Sequence, residues 1–165
     1  NMISASPDAI FQTTVREWVD LRKWGNPYAV TLTFKQSMPN DMLPGHTLRL
    51  EQQIAQQNFG YFMHLFNESL FGNLAKRHRM KVNVFAILEG SCTKHLHYHA
   101  AIDCPKHVTD EQFRQKINTC WSKTWWGNKQ VHIVNSANNG WVKYMTKFRD
   151  KEIYQESVDW INSNF

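Results

Sequence analysis

The sequence lacks the features that mark secreted, membrane-spanning or zinc-knuckle proteins. It contains three cysteines, Cys92, Cys104 and Cys120, and none of them belongs to a CxxC pair. An odd number without that spacing argues against a disulfide framework and favours a reducing, intracellular compartment. No apolar stretch is long enough to span a bilayer, and no signal peptide is visible at the amino terminus. We therefore expect no membrane partner.

Internal repeats, low-complexity tracts and interdomain linkers are absent as well. A chain of 165 residues without such boundaries is expected to form a single domain over residues 1–165, with a sizeable core. Lysine and arginine number 19 against 14 aspartate and glutamate residues, so the net charge is +5. This balance is compatible with a nucleic-acid partner, although many basic proteins bind none.

Hydrophobic periodicity and capping residues predict an α+β fold. The order of elements after the first helix is β-α-β-β-α-β-α, which favours a central antiparallel sheet with flanking helices, ferredoxin-like or RRM-like. In chain order we predict a helix from Ser6 to Gly25, a strand at 28–34, a loop at 36–46, a helix at 47–79 that breaks near Gly72, strands at 82–89 and 95–103, a helix from Thr109 with Trp121 and Trp125 on its buried side, a strand at 130–135 and a helix from 136 to 148.

The most informative stretch is His95-Leu96-His97-Tyr98-His99, which lies in a predicted strand. Alternate residues of a strand point the same way, so the three imidazoles share a face, with neighbours about 6.5–7 Å apart. Glu89 lies across the predicted hairpin and adds a carboxylate. Two imidazoles and one carboxylate leave coordination positions open for a substrate oxygen, which suits a divalent ion in catalysis.

The alternative interpretation is an ordinary polar strand face that carries surface histidines. Three histidines in register beside an acidic residue make that interpretation less favoured. The other histidines have no such neighbours in the sequence, and we expect no role for them; they are His46, His64, His78, His107 and His132.

A second candidate group lies on the last predicted helix, where Tyr144 and Lys147 are three residues apart and share a helical face. A tyrosine hydroxyl is a weak nucleophile near neutral pH because its ordinary pKa is about 10. To attack a phosphodiester it needs a metal-polarised phosphate or a nearby cation, and Lys147 is placed to supply positive charge. Taken alone, Y-x-x-K is equally typical of a half-buried tyrosine beside a solvated lysine.

Taken in order, three motifs resemble those of the HUH endonuclease superfamily, specifically the rolling-circle replication initiators (Rep proteins). Thr31-Leu32-Thr33-Phe34 resembles the first motif, His97-Tyr98-His99 followed by Ala-Ala-Ile resembles the metal motif, and Tyr144-x-x-Lys147 resembles the nucleophile motif. The resemblance spans about residues 28–150, and Glu89 stands where the family has its acidic ligand. His95-Leu96-His97 is a second reading of the metal motif. The three small apolar residues that follow His99 favour His97 and His99 as ligands.

The resemblance implies a sequence-specific endonuclease and strand transferase that acts on single-stranded DNA or an origin hairpin. Its catalytic residues would be Tyr144 and Lys147, and its metal, Mg²⁺ or Mn²⁺, would be held by His97, His99 and Glu89. Tyr144 would form a 5′-phosphotyrosine and release a 3′-OH that primes replication. A helicase from the host, or encoded with the initiator, is a further expected partner. The resemblance implies a cytoplasmic location for a plasmid or phage protein and the host nucleus for a eukaryotic-virus protein.

Candidate DNA contacts come from two basic clusters and from polar residues near the motifs. A basic run at 76–81 is equally typical of a solvated helix end. Exposed tryptophans could stack bases, although Trp121 and Trp125 have the spacing of core residues. The candidate DNA-binding residues are Lys143, Arg149, Lys151, Arg77, Arg79, His95, Thr31 and Thr33.

Other functions share parts of this pattern. Single-strand transposases of the same superfamily have the same motif order, whereas relaxases usually place the tyrosine before the histidines. A non-catalytic nucleic-acid-binding module would expose aromatic residues on its central strands, where this sequence has histidines. A metal-dependent hydrolase that uses water would leave no covalent adduct.

Overall fold

The computed structural model describes residues 5–90, 95–148 and 154–165, and it confirms the α+β prediction. The strands are β1 (Pro27–Phe34), β2 (Ser37–Pro39), β3 (Thr47–Arg49), β4 (Val84–Glu89), β5 (His97–Asp103) and β6 (Gly127–Val134). The helices are α1 (Pro7–Trp18), α2 (Gln52–Phe71), α3 (Asn73–His78), α4 (Asp110–Ser122), α5 (Asn139–Met145) and α6 (Tyr154–Ser157). In the described part of the chain, the helices fall short of the length and apolar character needed to cross a membrane.

Four strands form one antiparallel sheet in the order β4-β5-β1-β6. Directly opposite residues of antiparallel strands share a face, so the register decides which side chains meet. Thr31 on β1 lies opposite His99 on one side and His132 on the other. Glu89 on β4 lies opposite His97. One face of the sheet therefore carries a row of polar residues that crosses all four strands.

The opposite face of the sheet forms the main core. Alternate β1 residues Val30 and Leu32 are fully buried there. Aromatic residues of α2 and α4 cover them, including Phe62 and Trp121, whose rings meet edge to face with centroids 5.4 Å apart. Burial of this apolar surface is the dominant stabilising contribution to the fold.

The polar face is only partly covered. A second cluster packs α1 and α5 onto β4 and β5, with Val15 and Val142 against Phe85 and Ala101. The carboxy-terminal segment lies along the outer edge of β4 through bridges Ile87–Val158 and Val84–Asn164. The rest of this face, toward β6, stays open beside α5.

Two predictions for the first half of the chain were wrong. Residues 36–46 were expected to be a loop and residue 47 to start a helix, but β2 and β3 form a hairpin and α2 starts at Gln52. The first helix ends at Trp18 rather than near Gly25, because the Asp20 side chain caps a separate 3₁₀ turn by accepting from the Arg22 N–H. The predicted break near Gly72 is confirmed, and Gly72 has a positive φ of 54° there.

Helix ends in the second half also differ from the prediction. The capping box at Thr109 is confirmed, but α4 ends at Ser122, so Trp125 is not on its buried side and is 78% exposed. The helix predicted to run to residue 148 ends at Met145, where Gln12 of α1 donates to the Thr146 carbonyl at 2.7 Å. The short α6 was not predicted, β6 starts at Gly127 rather than at 130, and β5 starts at His97 rather than at His95.

Candidate metal centre and tyrosine site

Three ligand atoms converge on the polar face where β4 and β5 pair. The Glu89 Oε2 atom is 2.8 Å from His99 Nε2 and 3.4 Å from His97 Nε2. The two Nε2 atoms are 3.1 Å apart. Strand alternation brings the two imidazoles to one face, and the hairpin register brings the carboxylate opposite His97. The structure thus brings together the three predicted ligands, and this cluster has the composition of a metal-binding group.

Both imidazoles are held by their other ring nitrogen. His97 Nδ1 is 3.0 Å from the His95 carbonyl oxygen, and His99 Nδ1 is 3.0 Å from Thr31 Oγ1. A carbonyl oxygen only accepts hydrogen bonds, so His97 Nδ1 carries the proton and the neutral ring presents the Nε2 lone pair to the cluster. Partners of this kind fix the tautomer and ring orientation of histidines that bind metals.

The strand that carries the histidines is itself fixed from the core side. Tyr98, between the two histidines, points the opposite way, and its ring stacks on Phe59 with centroids 4.1 Å apart. Its hydroxyl donates to the buried Asp159 carboxylate at 2.8 Å. The Gln36 side-chain amide pairs with the backbone N–H and carbonyl of Leu96, both at 3.0 Å. These contacts make the start of β5 a rigid platform, as a preorganised site requires.

The charge state of the cluster suits a cation. Hydrogen bonds from His97 and then His99 hold the pKa of the Glu89 carboxyl well below its usual range, although partial burial acts in the opposite direction. Glu89 is therefore a carboxylate at neutral pH. Adjacent ligands of an octahedral ion with bonds of about 2.1 Å lie about 3 Å apart. The separation of the donor atoms and their chemistry, two imidazoles and one carboxylate, both fit a divalent ion with further positions open to substrate.

Tyr144 lies beside this cluster. Its ring centroid is 5.7 Å from that of His99, and the residue is 48% exposed. On α5, Val142 and Met145 are buried in the second core, so the helix turns Trp141 and Tyr144 toward the polar face. The two rings stack with centroids 5.4 Å apart. The structure thus places the predicted nucleophile next to the predicted ligands.

Lys147 lies past the end of α5 rather than on the helix, yet it stays beside the tyrosine. Its Nζ atom is 5.7 Å from the Tyr144 ring centroid, within the range of a cation–π contact. Lys147, Tyr144 and Glu89 line one small crevice. A positive charge is therefore held near the phenol.

The other predicted site residues have varied positions. Lys143 is exposed on α5, and the Thr33 hydroxyl donates to the Gln130 carbonyl at 2.5 Å. His95 is exposed and precedes β5, where its carbonyl contacts His97. Arg77 and Arg79 lie at and just beyond the end of α3, and Arg79 lines a cavity at the Val84 end of β4, about 17 Å along the strand from Glu89. Arg149 and Lys151 lie outside the described residues.

Sequence reasoning missed His132, which was expected to have no relevant neighbours. It lies opposite Thr31 on β6 and lines a cavity of about 490 Å³ together with His99 and Tyr144. Alternation on β6 would have placed His132 on the face of Gln130 and Val134. However, the sequence did not indicate that β6 would pair with β1, the strand that carries Thr31.

We expect Thr31→Val to weaken metal binding without loss of the fold. Valine keeps the shape of threonine but removes the hydroxyl that orients His99, and such partners contribute about 10- to 100-fold in metal affinity. Calorimetric titration with Mn²⁺ would measure the change. Thr33→Val is the matched control, because its hydroxyl contacts a carbonyl of β6. Equal affinity in Thr31→Val and the wild type would contradict this positioning role.

An antiparallel sheet flanked by helices, with a His-x-His pair and a glutamate on its polar face, defines an α+β domain compatible with the HUH endonuclease fold. The model of the ORF2-type replication-associated protein family matches residues 27–153. The chain belongs to this family, which confirms the predicted kinship with replication initiators. Comparisons with curated proteins and with solved structures give no match.

Proposed function

We propose that this protein nicks single-stranded DNA at a replication origin and becomes covalently attached to it through Tyr144. The observation that carries the proposal is the convergence of the Glu89, His97 and His99 ligand atoms beside the Tyr144 ring. Membership of a replication-associated family supports a role at an origin. The alternative of a non-catalytic binding module leaves this convergence without a purpose.

Each residue has a distinct task in the proposed reaction. Glu89, His97 and His99 would hold a divalent ion, Mg²⁺ or Mn²⁺, whose chemistry is to polarise the scissile phosphate. Lys147, close to the Tyr144 ring, offsets the negative charge that develops on the phenol oxygen and the phosphate. Trp141 stacks on the Tyr144 ring and restricts its orientation, so that less freedom is lost when the hydroxyl meets the phosphate.

The reaction is a transesterification in which atoms and charges balance. The Tyr144 oxygen forms a bond to phosphorus and loses its proton, and the bond from phosphorus to the 3′ oxygen breaks. The leaving oxygen keeps the electron pair and takes up a proton to become a 3′-OH. The products are a 5′-phosphotyrosine and a free primer end. In the reverse reaction a 3′-OH attacks the phosphotyrosine and joins two DNA ends.

The test is incubation of the protein with a pool of single-stranded oligonucleotides and Mn²⁺, followed by a denaturing gel. We expect a protein band shifted by covalently bound DNA, and we expect excess EDTA to prevent its formation because the ligand cluster is then left without a cation. Cleavage without a shifted band would contradict attack by tyrosine and favour a water nucleophile. A shifted band at full yield in EDTA would contradict the role of the metal.

Preference between substrates would distinguish the proposed initiator from a single-strand transposase. Hairpins from replication origins and from transposon ends can be supplied as alternative substrates in the same gel assay. An initiator is expected to form the adduct with the origin hairpin. Adduct formation confined to the transposon-end hairpin would contradict a role in replication.

A further inference from the structure

Trp125 is held in an exposed position by a rigid turn. It is 78% exposed, more than Trp18 at 63% or Trp160 at 42%. On either side of it, Thr124 and Trp126 are buried, so the side chain between them faces solvent. The buried Asn58 fixes this turn by donating to Thr124 Oγ1 at 3.1 Å and by accepting from the Trp126 N–H at 3.2 Å. A large apolar ring is thus presented to solvent on a preorganised support.

The turn lies at the end of the strand that passes the metal centre. Thr33 is opposite His97, and Lys35 follows two residues later, about 7 Å along the strand direction and on the same face. The backbone ladder extends this far, because the Lys35 N–H donates to the Trp126 carbonyl at 2.8 Å. The Lys35 ammonium donates to the Trp125 carbonyl at 3.4 Å. A lysine and an exposed indole therefore continue the polar face beyond His97.

The charge around this indole favours a polyanion. The segments 31–40 and 121–135 contain Lys35, Lys123 and Lys129 and no aspartate or glutamate. All three lysines are exposed. Proteins that bind single strands combine a basic path for the phosphates with aromatic rings on which bases stack. A partner protein with an apolar surface would gain nothing from lysines alone.

We propose that Trp125 and Lys35 form a second contact for the single-stranded DNA, with a base stacked on the indole and a phosphate beside the ammonium. The contact lies beyond the metal centre, next to the end of β1, and serves affinity rather than the chemical step. Because stacking accepts any base, it adds grip without selecting a sequence. This inference rests on the proposed function, since it assumes that the strand reaches the polar face.

The two residues are expected to have different effects on DNA affinity. Trp125→Ala removes stacking and should raise the Kd for a single strand between about 5-fold and 150-fold, with no change in salt dependence. Lys35→Gln removes one phosphate contact and should lower the slope of log K against log salt by about 0.7. Fluorescence anisotropy with labelled oligothymidylate of about 20 nucleotides, longer than most single sites, measures both. Trp18→Ala, which removes another exposed indole, should bind like the wild type.

The measurement is made in a Tyr144→Phe background, so that binding is read separately from cleavage. If Trp125→Ala and Trp18→Ala bind equally well, the inference is overturned, whether or not the wild type forms an adduct. If Trp125→Ala loses affinity while the wild type forms no adduct, the inference holds and the proposed nicking fails. An unchanged affinity together with loss of a dimer in sedimentation would overturn the inference and assign the indole to a second copy of the chain.

Discussion

Replacing Tyr144 with phenylalanine is expected to abolish the covalent protein–DNA adduct while the protein still binds DNA. The substitution removes only the hydroxyl that forms the bond to phosphorus and keeps the ring that stacks on Trp141. The fold should not change, because Tyr144 is 48% exposed. The measurement is the yield of shifted band on a denaturing gel in the presence of Mn²⁺, together with the Kd for the uncleaved strand.

The chain offers a matched control for this variant. Tyr61 lies on α2 and is 49% exposed, close to the exposure of Tyr144, but it is remote from the ligand cluster in sequence and packs on the other layer. Tyr61→Phe should form the adduct at wild-type yield. Tyr154 lies ten residues beyond Tyr144 and is tested in the same way. A shifted band that persists in Tyr144→Phe and disappears in either other variant would move the nucleophile elsewhere.

The second large effect is expected from His97→Ala, which should lower the cleavage rate by about 10³-fold or more. Removal of one of three ligands sacrifices metal-ion stabilisation of the developing charge, which is worth several kcal/mol. DNA binding should largely persist, because phosphate contacts by lysine and arginine are separate from the cluster. His99→Ala should have the same effect on cleavage, although His99 is only 7% exposed and its loss leaves a cavity.

A readout of metal binding separates this role from a merely structural one. Mn²⁺ at about 100 times its Kd should stabilise the wild type by about 2.7 kcal/mol, which raises the Tm by about 5 to 10 °C. That shift should vanish in His97→Ala. His64→Ala is the control, because His64 pairs with Glu68 at 3.3 Å on α2, outside the cluster. Full cleavage and an unchanged Tm shift in both ligand variants would reject the metal assignment.

Local pattern was enough to predict the ligands. Strand alternation aligned His97 with His99, and the short connection between two predicted strands placed Glu89 across from them; the structure has this register. The four-stranded antiparallel sheet followed from the order of elements and is confirmed. These features depend on contacts between residues that are close in the chain, so periodicity and spacing contain the information.

Features that depend on distant contacts were missed. The last long helix stops at Met145 because Gln12 and Arg16, on the first helix, bind the Thr146 carbonyl and hydroxyl. Trp125 had the spacing of a core residue, but a turn fixed by the distant Asn58 directs it outward. His132 reaches the site only because β6 pairs with β1. In each case a tertiary contact overrides a local preference, and one sequence alone gives no register for such contacts.

The indole nitrogen of Trp141 donates to the backbone carbonyl of Ala100 at 2.9 Å, directly after His99. The helix that carries the phenol is therefore tied to the same strand that carries the imidazoles. A displacement of that strand, for instance when a strained hairpin is bound, carries both reacting groups along as one body. Their mutual alignment is thus buffered against distortion of the rest of the protein, so the enzyme can bend with its substrate and still cut at a fixed bond.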